Sequence, residues 1–194
     1  PLSPIPLIAG DTLIIEGGAP LRGDVTVAGS KNEILPCLAS TLLTPEPVTL
    51  HNVPHLLDVH VMLDILGHLG AEVAWLAPGT VRVTAGTLTG APVPADLGQR
   101  LRASVLLLGP LLARAGHAVA PLPGGDAIGQ RRLDFHALGL EALGAVVSVD
   151  GEFRAHAGRL QGADIFLDEP SVTGTENVLM ASVLARGTTV LRNA

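Results

Sequence analysis

Apolar positions along the chain alternate between helical and strand spacing in a recurring order. Ser30 and Glu33 stand three apart ahead of the apolar run Ile34 to Leu43. That is the capping-box signature of a helix start, with Lys31 as its first helical residue. Helix-like patterns follow at His60 to Leu69 and Phe135 to Leu143. Each is preceded by an aspartate, Asp58 or Asp134, and each runs into Leu-Gly-Ala, glycine being the usual helix stop. After each comes a hairpin-like pair: Val73 to Trp75 with Val81 to Thr84, and Val146 to Val149 with Phe153 to His156, turning at Asp150-Gly151. A further apolar stretch, Leu101 to Ala113, predicts a helix leading into a strand, His117 to Leu122.

These patterns repeat at an offset of roughly 75 residues. A second echo links the ends: Lys31-Asn32 with Thr49 to Asn52 resembles Glu176-Asn177 with Val190 to Asn193. The implied unit is strand–helix–strand–helix–strand–strand, present about twice in full, with a third copy from near Leu160 reaching its second strand. Such a third copy cannot close its own apolar face. The expectation is a truncated product with that face open.

Composition narrows the class. Apolar residues make up 47% of the 194 and aromatics 2%, with no tyrosine, so the core is built from Leu, Val, Ala and Ile. A net charge of −6 argues against a nucleic-acid partner, which needs a basic face. The single cysteine, Cys37, excludes an intrachain disulfide and reads as a core residue. The most apolar stretch, Val105 to Ala113, contains Gly109 and Pro110 and is too short to span a bilayer. The Pro-rich start (Pro1, Pro4, Pro6) lacks the basic region of a signal peptide. The expectation is a cytoplasmic protein with no membrane partner. Seven histidines show no metal-ligand spacing; His51, His55 and His60 stand four and five apart, but Pro54 breaks any helix shared by all three. No metal and no cofactor are expected.

Candidate chemistry falls in three loops. Lys31 is the only lysine, placed at the partly positive end of a helix. A cation is disfavoured there and a bound anion favoured, which suggests an anion site; the alternative is a solvated lysine. The second loop is Pro121 to Gly129, from which Asp126 would project, followed by Gln130, Arg131 and Arg132. It is either an ordinary connection or a backbone-exposing site. The third, Asp168 to Glu176, is a polar lead into a helix and a plausible anion-binding terminus. Arg102 opens the middle helix.

Taken in order, Gly-Ser-Lys-Asn, Arg102-Ala103-Ser104 before Leu108-Gly109-Pro110-Leu111, Pro-Gly-Gly-Asp-Ala-Ile-Gly and Ser-Val-Thr-Gly-Thr-Glu-Asn resemble the UDP-N-acetylglucosamine 1-carboxyvinyltransferase family of enolpyruvyl transferases. The similarity runs from about Leu13 and covers the first half of that family's length. It implies an α/β (α+β) fold, an inside-out α/β barrel of βαβαββ repeats, here truncated in the third. It implies that residues 1–28 join the second half and that residues 29–194 form the first domain. The implied reaction transfers enolpyruvyl from phosphoenolpyruvate to the 3-hydroxyl of UDP-N-acetylglucosamine with release of phosphate. That is the first committed step of peptidoglycan synthesis, with its links to cell shape and division.

By the same resemblance, Lys31 and Asn32 bind phosphoenolpyruvate and Arg102 contacts the substrates. Arg131, Arg132, Leu133, Asp134 and Phe135 hold the UDP-sugar, and Glu169, Pro170, Ser171, Val172 and Thr173 hold the nucleotide. Lys31 and Asp126 are the implied catalytic residues. Asp126 falls where most of the family has a reactive cysteine, on the family's closing loop. Both substrates are multiply anionic, so cationic clamps must offset their repulsion. Protonating the methylene carbon needs a general acid. For an aspartate to serve at pH 7, its pKa must rise by roughly 3 units, about 4 kcal/mol. An enzyme with Asp126 is expected to resist fosfomycin and to favour lower pH. The general base belongs to the half expected to be missing. The alternative is therefore a non-catalytic fragment with partial substrate binding.

Overall fold

In the computed structural model, residues 17–18, 20, 22–124 and 132–194 are described. Asp126, Arg131 and the first sixteen residues lie outside them. The first repeat comprises helix α1 (Lys31–Ser40), strand β1 (Val48–Leu50), helix α2 (Leu57–His68) and the hairpin β2 (Glu72–Ala77) and β3 (Thr80–Thr84). The second opens with the short helix α3 (Ala95–Gly98) and a 3-10 segment (Arg102–Leu107). It continues through α4 (Leu108–Ala115), β4 (His117–Pro121), α5 (Asp134–Ala142), β5 (Val146–Asp150) and β6 (Glu152–His156). The third holds β7 (Asp164–Phe166), α6 (Val172–Ser182) and β8 (Val190–Arg192).

The mixed α/β class and its repetition match the expectation. Two antiparallel sheets have the same strand order, β1-β3-β2 and β4-β6-β5. Their central strands alternate as a half-buried strand must: Val81 and Val83 are buried around exposed Arg82, and Phe153 and Ala155 around exposed Arg154. In the third sheet β7 and β8 run parallel, pairing Ile165 with Leu191, with α6 as the crossover. The helices pack on one another, α1 on α2 and α6 on both α4 and α5. Between them lie Leu38, Leu42, Met62, Ile65, Leu66, Leu106, Leu107, Leu112 and Leu140, all buried. Each contributes roughly 1.5–3 kcal/mol by leaving water. Phe166, Val172, Leu179, Val183 and Val190 are exposed on the third repeat. Among the described residues, no helix is long and apolar enough to cross a membrane.

Three local expectations are corrected. Helix α1 begins at Lys31 after an extended Ser30 (φ −80°, ψ 132°), but Ser30 makes no side-chain cap bond. Ser30 and Glu33 instead line a small cavity with Gly29, Cys37, His51 and Asn52. The terminal echo is also off by one helical turn. Lys31 and Val172 both open their helices, and Asn52 and Asn193 both adopt positive φ (55° and 58°) beyond a strand; each pair is 141 positions apart. Asn177 therefore lies one turn beyond the equivalent of Asn32.

The third correction concerns the middle helix, which is not continuous. Residues Arg102–Leu107 are 3-10 and the α-helix starts at Leu108. Pro110 has no N–H to offer the Leu106 carbonyl. One residue earlier, a side chain from α6 enters the ladder. Gly109 N–H donates to Asn177 Oδ1 at 2.6 Å, and Asn177 Nδ2 donates to the Val105 carbonyl at 3.2 Å. The amide thus stands where the Gly109-to-Val105 bond of an α-helix would be. Gly109 admits it because it has no Cβ: one built there would sit 2.6 Å from Asn177 Oδ1 and 2.4 Å from the Asn177 backbone oxygen.

Candidate functional site

A cleft of about 350 Å³ opens where the second and third repeats meet. It is lined by Arg102, Arg132, Phe135, Glu169, Pro170, Ser171 and Thr173. Arg102 comes from the start of the 3-10 segment, Arg132 and Phe135 from the entry to α5, and the rest from the turn into α6. Ser171 is extended and caps α6, its Oγ accepting from Gly174 N–H at 3.1 Å. The cleft therefore meets the positive end of an eleven-residue helix, a favourable place for an anion.

Arg132 is the charged hub. Its Nε donates to both carboxylate oxygens of Asp134 at 3.1 Å, and its Nη1 donates to Glu169 at 3.2 Å. Asp168 lies 3.5 Å from Nη2, and the guanidinium rests 4.7 Å from the Phe135 ring centroid. The hydrogen bonds from Arg132 hold the Asp134 carboxyl below the usual carboxylate range. Those to Asp134 in turn raise the Arg132 guanidinium further above its ordinary value. The arginine is thus fixed in plane, its Nε–Nη2 edge on Asp134 and its Nη1 on Glu169, exposed carboxylates that an incoming anion would have to displace. All these partners are half-exposed or more, so the network orients the guanidinium more than it stabilises the fold.

Beneath the cleft lies a buried polar pair that the sequence did not single out as functional. His136 is 1% exposed, and its Nδ1 accepts from Asn177 Nδ2 at 3.0 Å. Burial, then the charge of Arg102, lowers the His136 pKa to about 4, with Asp134 opposing. The ring is therefore neutral at pH 7, with its proton on Nε2. The available signal was Gly109-Pro110 in an otherwise unbroken apolar run, which marks an interrupted helix but not its partner.

Lys31 and Asn32 stand apart from this lining, exposed at the start of α1. Lys31 Nζ pairs with Asp58 Oδ2 at 3.0 Å, a partner on the first turn of α2. Gly29 brings the chain close behind it: a Cβ there would lie 1.9 Å from the Asn52 carbonyl oxygen. Cys37 is half-buried beside the small cavity, its thiol pushed up by burial and then by Glu33 and Glu176. Such surroundings disfavour the nucleophilic thiolate. Leu133 packs on the core, and Val172 is 76% exposed and outside the cleft lining. Among the described residues, no group of three His, Cys, Asp or Glu side chains could hold a metal ion.

A family model described as EPSP synthase (3-phosphoshikimate 1-carboxyvinyltransferase) matches residues 15–194. The UDP-N-acetylglucosamine 1-carboxyvinyltransferase of Bradyrhizobium diazoefficiens is 49% identical over 181 residues, 93% of this chain and 42% of its own length. The protein of the same name from Treponema pallidum is 53% identical over 180 residues, again 93% of this chain and 42% of its own. Among solved structures, the enolpyruvyl transferase NikO from Streptomyces tendae superposes with a TM-score of 0.76 at 24% identity, covering 90% of this chain and 42% of that one. EPSP synthase from Acinetobacter baumannii gives a TM-score of 0.70 at 22% identity, covering 87% and 40%. These two share the fold. The chain spans about two-fifths of the length of the curated relatives it matches.

Proposed function

Because this chain belongs to the EPSP synthase family, we propose that it supplies one wall of a carboxyvinyltransferase site for phosphoenolpyruvate and UDP-N-acetylglucosamine. The observation that carries the reading is the cleft in which Arg102, Arg132 and the start of α6 converge. Two cations and a helix N-terminus suit a nucleotide diphosphate, and the relatives near 50% identity carry that sugar nucleotide in their name. In the reaction, the sugar 3-hydroxyl oxygen bonds to C2 of phosphoenolpyruvate while its proton leaves to a base. The methylene carbon takes a proton from an acid and gives it back as the C2–O bond to phosphate breaks.

In this proposal Arg102, Arg131, Arg132, Leu133, Asp134 and Phe135 and the turn Glu169 to Thr173 hold the nucleotide sugar, Leu133 and Val172 through their backbone. Lys31 and Asn32 receive phosphoenolpyruvate. The Lys31–Asp58 pair is half-exposed on the lysine side and worth under about 1 kcal/mol, so an incoming phosphate can displace Asp58. Asp126 is the acid, and Asp126→Cys is expected to confer time-dependent inactivation by fosfomycin on an enzyme that otherwise resists it. Residues 29–194 form the domain that carries this wall, and residues 1–28 join the remaining part of the fold. The setting is cytoplasmic peptidoglycan synthesis. By itself the chain binds the sugar nucleotide without turnover, since one wall lacks the general base.

The test is a titration of 15N-labelled chain with UDP-N-acetylglucosamine and, separately, with shikimate 3-phosphate. Saturable shifts confined to residues 101–104, 132–136 and 169–175 with the first ligand alone are expected. Binding of shikimate 3-phosphate at those amides, or of neither ligand, overturns the substrate assignment.

A further inference from the structure

We infer that Asn177 is a positioning residue: by inserting its amide between Val105 and Gly109, it holds Arg102–Leu107 as a 3-10 segment and so sets Arg102 in the cleft. The inference rests on the proposed function only for what Arg102 binds.

Asn177 is fully buried and its amide makes three hydrogen bonds. Oδ1 accepts from Gly109 N–H, and Nδ2 donates to both the Val105 carbonyl and His136 Nδ1. Flipping the amide would set an NH2 against the Gly109 N–H and an oxygen against the Val105 carbonyl, so its orientation follows from these two backbone partners. In that orientation Nδ2 faces His136 Nδ1, which puts the ring's proton on Nε2.

Proline alone does not account for the 3-10 segment. Helix α1 contains Pro36 and stays α-helical from Lys31 to Ser40. What distinguishes the second repeat is the amide occupying the Val105–Gly109 step. The geometric consequence is large. An α-helix turns about 100° and rises about 1.5 Å per residue, a 3-10 helix about 120° and 2.0 Å. Over the six residues from Leu108 back to Arg102, the difference accumulates to roughly 120° and 3 Å. An α-helical Arg102 would face another side of the helix and leave the cleft wall.

The experiment uses the whole chain as Asn177→Ala, Asn177→Asp, Arg102→Ala and the two Arg102 doubles. Structures of the Asn177 variants and their affinities for UDP-N-acetylglucosamine are both measured. Asn177→Ala is expected to let the segment relax toward α-helix, move Arg102 off the cleft and weaken binding about tenfold. Asn177→Asp keeps the acceptor for Gly109, so it should show a smaller change and remain informative if the alanine variant does not fold. In the Arg102→Ala background neither Asn177 change should alter affinity further, a non-additivity that loss of general stability does not produce. An unmoved Arg102, or affinity losses that add, overturns the inference. Should the parent chain not bind the nucleotide sugar at all, the proposed substrate fails, while the displacement of Arg102 in the variant structures still decides the positioning role.

Discussion

The lysine-led helix of the first repeat and the arginine-led helix of the second open on the same kind of residue but in different conformations. Each opens on a cation, Lys31 in one and Arg102 in the other, and each contains a proline, Pro36 or Pro110. Yet α1 is α-helical from its first residue, while its counterpart runs six residues as 3-10 before becoming α-helical. The sheets of the two repeats share one strand order. The divergence therefore lies in what reaches the helix from outside. Lys31 meets the carboxylate of Asp58, whereas the second helix receives a buried amide from α6. One repeat unit thus yields two differently placed cations, one exposed and one on the wall of a cleft. A single side chain from the third repeat makes the difference.

The sharpest way to break this contrast is to remove that side chain. Asn177→Leu should strand the buried Gly109 N–H and cost about 4 kcal/mol, read from urea unfolding. A cost below about 1 kcal/mol would mean that the amide does not hold the segment. Acid probes the same contact through His136. Its folded pKa, about 4, lies below the ordinary 6.5, so the unfolded chain binds the proton more tightly between those values. Its contribution is fully present above pH 6.5 and is lost as pH falls toward 4, by up to about 3 kcal/mol. Urea midpoints across that window should fall more steeply for the parent than for His136→Gln; parallel curves would count against it.

On the α1 side, Gly29→Ala forces its Cβ against the Asn52 carbonyl and should cost about 2 kcal/mol, with Lys31 displaced. A neutral result would show that the chain there yields freely. The smallest effects separate the two helix starts. Ser171→Ala removes a real cap and should cost about 1 kcal/mol, whereas Ser30→Ala, where no cap bond exists, should cost under about 0.5 kcal/mol. Equal thermal shifts for the two would erase that distinction.

What was legible in the sequence was local. The start of α1 at Lys31, both hairpins and the glycine stops at Gly70 and Gly144 (φ 102° and 93°) follow from spacing and backbone freedom within a few residues. The 3-10 segment was not legible because half of its cause sits 68 residues away in Asn177. The cleft is similar: Arg102, Arg132, Phe135 and Glu169 come from three separate chain segments, and only the family resemblance grouped them beforehand. Resemblance transfers positions, not side-chain directions. Leu133 and Val172 were named with the others, but one packs on the core and the other faces outward.

The most direct test of the account is a calorimetric titration of UDP-N-acetylglucosamine into the parent chain and into Arg102→Ala. The account predicts saturable binding by the parent and at least about tenfold weaker binding by the variant. Equal binding by both chains would contradict it.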